Sequence, residues 1–171
     1  MPTFIKIIKS LLLQAVIIVI VFNGVSALRE SGMLSSWQHQ NAPDFHLNSL
    51  DSSTVNLNQA MGEQKTVLYF FAPWCSVCRF SIGNLQALYE KHPSERVQIY
   101  AIALDFVDQQ EVESFVEGLE LTMPILLGNE ALKQAYQVSA YPSYYVLDQN
   151  QQVVHRSMGY STELGLLLRT L

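Results

Sequence analysis

An α/β fold, with a central mixed sheet flanked by helices, follows from three features of this 171-residue sequence. Thr66 to Ala72 and Val97 to Leu104 are continuous apolar runs of strand length, as burial on both faces requires. Helical periodicity follows each run, and this alternation of strand and helix implies a parallel central pair. Alternating polar and apolar residues at either end of the same region, around turns rich in Asp, Ser and Asn, add antiparallel hairpins.

Taken in order, Lys6 and Lys9 precede an uncharged stretch of nineteen residues, Ser10 to Leu28, dominated by Leu, Ile and Val. That length suits a single transmembrane helix, and residues 1–28 are assigned to it. The basic flank on its N-terminal side, against the balanced pair Arg29-Glu30, predicts an inner-membrane, single-pass signal-anchor with the domain facing the periplasm. Val25-Ser26-Ala27 has the small-residue pattern of a processing site, so a cleaved secretory signal is the alternative. Residues 29–41, with Ser31, Gly32, Ser35 and Ser36, read as a spacer.

Residues 42–171 form the predicted domain. Phe45-His46-Leu47 and Thr54-Val55-Asn56-Leu57 alternate around Leu50-Asp51-Ser52-Ser53 as an N-terminal hairpin. The segment from Cys75 to Lys91 is a helix with Phe80, Ile82, Leu85, Leu88 and Tyr89 available for its inner face. Asp108 to Gly118 is a polar-faced helix, Pro124 to Leu127 a short extended piece, and Asn129 to Tyr136 a further helix. Ser143 to Leu147 and Gln152 to Ser157 pair across Asp148-Gln149-Asn150, and Ser161 caps a closing helix, Thr162 to Leu171.

From Arg29 onward eight basic residues stand against fifteen acidic ones, a formal charge of −7 that argues against nucleic acid as a partner. Cys75 and Cys78 are the only cysteines, and they fall where the first parallel strand hands over to its helix. A helix N-terminus presents unpaired N–H groups and a positive dipole end, so Cys75 is the candidate nucleophile and Cys78, one turn on, sits about 5 Å away, within disulfide reach. A zinc site is disfavoured, because the four histidines, His39, His46, His92 and His155, lack ligand spacing. An inert clip would close a loop too short to constrain the unfolded chain much. The pattern predicts reversible redox chemistry without metal or other cofactor.

Three separated motifs carry a family resemblance: Ala42-Pro43-Asp44-Phe45, Phe71-Ala72-Pro73-Trp74-Cys75-Ser76-Val77-Cys78-Arg79, and Tyr141-Pro142-Ser143-Tyr144-Tyr145-Val146-Leu147-Asp148. The chain resembles the thioredoxin superfamily, and more closely its membrane-anchored TlpA-like thiol–disulfide oxidoreductases. The Cys-x-Val-Cys centre and Gly159-Tyr160-Ser161-Thr162-Glu163 are similar to relatives associated with suppression of copper sensitivity. The resemblance implies a thioredoxin-like fold and exchange between Cys75–Cys78 and protein thiols or disulfides. It implies a cis Pro142, with the backbone of Tyr141 pairing to an extended substrate and Trp74 as an apolar platform. A reductase supplied by a membrane electron carrier is the first expectation; a thiol oxidase and a copper-binding module are the alternatives. Arg79 either adds positive potential near Cys75 or solvates the helix face, and Asp105 reads as a solvated loop acid. Tyr69 and Ser81 stand where members of the superfamily carry an acid that deprotonates the second cysteine, and Ala72 where a peroxidase would carry a hydroxyl.

Overall fold

The computed structural model describes residues 2–37, 40–92 and 96–170; His39 and Leu171 lie outside the described residues. The chain divides into two compact units, one ending at Gly32 and one beginning at Met33. The first is helix α1, Pro2–Glu30, whose portion Lys9–Glu30 is long and apolar enough to cross a membrane. Its polar interruption at Asn23 is satisfied within the helix, the side-chain amide donating to the Val19 carbonyl at 2.7 Å.

In the second unit the elements are β1 His46–Ser49, β2 Thr54–Asn56, α2 Leu57–Ala60, β3 Lys65–Phe71, α3 Ser76–Lys91, β4 Val97–Ala103, α4 Gln109–Glu117, β5 Ile125–Leu127, α5 Glu130–Ala135, β6 Ser143–Leu147, β7 Val153–Met158 and α6 Glu163–Thr170. They build one seven-stranded sheet in the order β2-β1-β5-β4-β3-β6-β7. The parallel pair is β3 and β4, in register from Lys65 opposite Val97 to Phe71 opposite Ala103. The short piece at Ile125–Leu127 extends it as a third parallel strand, and the N-terminal hairpin joins the sheet antiparallel at β5. The two hairpins therefore flank a parallel core.

Continuous apolarity in β3 resolves into two cores by the period-two alternation of a strand. Val67, Tyr69 and Phe71 face α3, α4 and α6 with Ile82, Leu85, Phe115 and Leu166. Leu68 and Phe70 face the other way, onto Leu57, Leu132 and Tyr136. There Phe70 lies 5.0 Å from the Tyr136 ring and meets Tyr145 edge-on at 6.1 Å, favourable aromatic geometries.

Three expectations are corrected. The stretch read as spacer contributes Met33 and Leu34 to the second core, each nearly sealed from solvent. Arg156 Nη1 donates to the Met33 and Leu34 carbonyls at 2.7 and 2.9 Å, while the Leu34 N–H donates to the Tyr145 hydroxyl at 3.2 Å. That hydroxyl in turn donates to the Tyr136 carbonyl at 2.6 Å. Phe80, expected on the inner face of α3, is 78% exposed, because Cys78, Ile82 and Leu85 already define the buried stripe. The closing helix is capped by Thr162, whose Oγ1 accepts from the Gly165 N–H at 3.1 Å; Ser161 is buried and gives its N–H to Ser81 Oγ.

Replacing Arg156 by Ala leaves two carbonyls of the Met33-Leu34 segment without their donor. The expected outcome is a loss of about 1–3 kcal/mol in urea unfolding, with faster hydrogen exchange at the Leu34 amide. Unchanged exchange at Leu34 would contradict the latch.

Candidate active site

The parallel strands β3 and β4 end at the same level, where the Leu104 N–H donates to the Phe71 carbonyl at 2.8 Å. Beyond that edge β3 turns through Ala72-Pro73-Trp74, and the Cys75 N–H returns to the Ala72 carbonyl at 3.0 Å. Cys75 itself is outside the helix, correcting its expected place in the first turn. It is the N-cap of α3, with extended backbone, and its sulfur accepts the Cys78 N–H at 3.1 Å. A sulfur in that position faces the unpaired N–H groups and positive dipole end of a sixteen-residue helix, the environment that lowers a thiol's pKa.

Cys75 and Cys78 are joined as a disulfide with Cα atoms 5.2 Å apart. Their exposures differ in the sense that matters for attack: Cys75 keeps 6% of its surface open, Cys78 none.

Two aromatic residues flank the cysteines. Trp74 is 61% exposed, which excludes a core role, and its Nε1–H donates to the Asp105 carbonyl at 2.9 Å. Tyr141 meets the indole edge-on, ring centroids 5.8 Å apart. The peptide bond from Tyr141 to Pro142 is cis, and the Pro142 carbonyl accepts from the Gly159 N–H at 2.7 Å. The structure thus brings Trp74 and Tyr141 together beside the Cys75 segment. Arg79 places its guanidinium 5.1 Å over the Phe115 ring. His46 is an exposed strand residue against Asn56, remote in sequence from this edge.

Two groups were not assigned to the site by sequence reasoning. Asp105, expected to be a solvated loop acid, has a left-handed backbone at φ +50° and pairs through Oδ2 with Lys133 Nζ at 2.6 Å. Lys133 Nζ also lies 6.0 Å from the centre of the Tyr141 ring, at cation–π range. Hydrogen bonding to the Asp105 carboxylate holds the Lys133 ammonium above its ordinary pKa. The only sequence signal was the position of Asp105 just past an apolar strand; for Lys133, one polar residue on a short helix, there was none.

Beneath the cysteines, Tyr69 and Tyr144 are opposite each other on β3 and β6, both fully buried in the core that contains Cys78. Their hydroxyls have no hydrogen-bond partner among the described residues. Burial pushes the Tyr69 phenol well above its ordinary range. Tyr69 therefore keeps its proton and can donate a hydrogen bond, but it cannot act as a base near neutral pH. Ser81, one turn after Cys78 on α3, is buried and receives the Ser161 N–H at 3.3 Å.

Comparison with known proteins agrees with this geometry. The AhpC/TSA family model matches residues 39–156. Over 126 residues the chain is 30% identical to the thioredoxin-like protein YneN of Bacillus subtilis (strain 168), covering 72% of this chain and 73% of that one. Over 150 residues it is 28% identical to the thiol-disulfide oxidoreductase ResA of Oceanobacillus iheyensis, 85% of this chain and 77% of the relative. Among solved structures, StoA from Bacillus subtilis superposes with a TM-score of 0.67 at 26% identity, over 76% of this chain and 98% of that one. The chain belongs to the AhpC/TSA family, among the thioredoxin-like thiol–disulfide oxidoreductases of TlpA-like type.

Proposed function

We propose that this protein is a membrane-tethered reductase of protein disulfides, working on the extracytoplasmic side through Cys75 and Cys78. The observation that carries the reading is the disulfide at the N-terminus of α3, with Cys75 at the helix cap keeping 6% of its surface and Cys78 inside the helix keeping none. The relatives named thiol-disulfide oxidoreductases support the chemistry, and the apolar helix Lys9–Glu30 supports the tether. The basic flank of that helix, Lys6 and Lys9, favours a cytoplasmic N-terminus.

In the reduced state the Cys75 thiolate attacks one sulfur of a partner disulfide and releases the other as a thiolate. Cys78 then attacks Cys75 in the mixed disulfide, which frees the partner's second thiolate and closes the Cys75–Cys78 bond. The partner gains two electrons and the protein loses two. Recharging runs the same exchange in reverse, with a donor dithiol attacking the Cys75 sulfur; outside the cytosolic thiol pool a membrane electron carrier is the fitting donor. Trp74 provides an apolar contact for the partner, and the backbone of Tyr141, ahead of Pro142, offers strand-like hydrogen bonds. The Cys78 proton has no carboxylate to receive it at Tyr69 or Ser81, so the departing partner thiolate is its acceptor.

Cys78→Ala is expected to accumulate mixed disulfides on Cys75 that can be isolated from membranes, whereas Cys75→Ser forms none. A trap that captures no protein would contradict the exchange chemistry. The reduction potential decides direction: a value near that of thioredoxin, about −270 mV, fits a reductase, and one near −120 mV would instead make the protein an oxidase.

Tyr69→Phe removes a hydroxyl that stays protonated, so the pH profile of disulfide reduction should keep its shape, with rates within about twofold. A large fall in rate or the loss of an inflection in that variant would assign the Cys78 proton to Tyr69.

A further inference from the structure

We propose that Lys133 and Asp105 are positioning residues of this centre: their ion pair holds Trp74 and Tyr141 as one aromatic wall beside Cys75, and that wall sets the affinity for polypeptide partners carrying an apolar residue next to the reacting cysteine. The proposal rests on the exchange chemistry above and adds two residues that do not touch the reacting sulfurs.

The geometry starts from Asp105. Its left-handed backbone, at φ +50°, is one that residues other than glycine adopt only when contacts hold them in it. Two contacts hold it there. Its carbonyl receives the Trp74 indole N–H at 2.9 Å, and its carboxylate receives Lys133 Nζ at 2.6 Å. Both partners in the ion pair are partly covered, with 27% and 31% of their side chains exposed, so the pair is less open to solvent than an ordinary surface contact.

Lys133 reaches both halves of the wall. Through Asp105 it fixes the acceptor of the indole, and its own ammonium lies 6.0 Å over the Tyr141 ring, which packs edge-on against the indole at 5.8 Å. One side chain on α5 thereby links the loop after β4 to the approach to β6. Glu130 also lies 4.0 Å from the ammonium.

The same contacts define what the wall can recognise. The one polar side-chain atom of Trp74 is committed to Asp105, so the indole of this exposed residue offers apolar and π contact. A partner with Leu, Val or an aromatic beside its cysteine buries that surface; one with Ser or Asp there cannot. A small disulfide, which has no flanking side chain, does not use the wall.

The test uses the full chain in detergent micelles, with Lys133→Met, Asp105→Asn and Lys133→Arg variants. Two substrates are compared: a peptide disulfide carrying Leu beside its cysteine, and hydroxyethyl disulfide. Lys133→Met and Asp105→Asn should raise KM for the peptide roughly three- to fivefold, the upper end of what losing one partly shielded ion pair costs. The rate with hydroxyethyl disulfide should stay within about twofold, and Lys133→Arg should restore the peptide KM. A parallel loss with both substrates, or no change with either, would overturn the proposal. Hydrogen exchange at the Trp74 indole N–H gives a second readout that does not depend on turnover. It should accelerate in Lys133→Met, and unchanged protection would overturn the clamp. Absence of exchange with both substrates in the unaltered protein would instead remove the exchange chemistry, leaving indole protection as the measure of the clamp.

Discussion

Burial of β3 on both faces is the constraint from which the rest of the unit follows. From Thr66 to Phe71, with β4 parallel on one side, β6 antiparallel on the other and a core on each face, the strand has no solvent-facing position at which reactive groups could sit. Chemistry is therefore confined to the point where the strand ends. The bond from Leu104 to the Phe71 carbonyl levels the two parallel strands, and the turn through Ala72-Pro73-Trp74 delivers Cys75 to the first free N–H groups of α3. The same geometry that ends the strand creates the electrostatic environment a reactive thiolate needs.

The asymmetry between the two sulfurs has the same origin. An N-cap residue lies outside the helix and keeps an open side, whereas a residue three positions later on the inner face points into the core with Ile82 and Leu85. One helix boundary thus separates the less buried cysteine from the fully buried one. Below them, the apolar core holds phenols where a carboxylate could have stood. A phenol raised by burial preserves a hydrogen-bond donor without adding a buried charge, so the cost of desolvating an ionised acid beside the disulfide is avoided.

The second core has a different role. Its aromatic group of Phe70, Tyr136 and Tyr145 binds the Met33-Leu34 segment through a chain of hydroxyl and guanidinium bonds to backbone. The Tyr145 phenol is pushed up to about 12 by burial, which keeps its proton available for the Tyr136 carbonyl across the physiological range. The face opposite the cysteines is thus closed by the Met33-Leu34 segment, through contacts that use the Tyr145 hydroxyl as both acceptor and donor.

How much of this could be read beforehand depends on the range of the interactions. Apolar runs, helical periodicity and turn residues act over a few neighbours, so β3, β4, α3 and the final hairpin were legible, as was the meeting of Cys75 and Cys78 at a helix start. The exposure of Phe80 was not, because which stripe of α3 faces inward depends on the angle at which the helix lies on the sheet. Met33 and Leu34 look like spacer residues until Tyr145, 111 positions from Leu34, receives that backbone N–H. Lys133 looks like one more surface lysine until Asp105, 28 positions away, meets its ammonium. Local patterning alone determined the strands, the apolar N-terminal helix and the position of the sulfur pair. Only tertiary packing decided which side chains surround that pair, since bringing the ends of three strands and a short helix together is a property of the folded sheet and leaves no periodic mark in the chain.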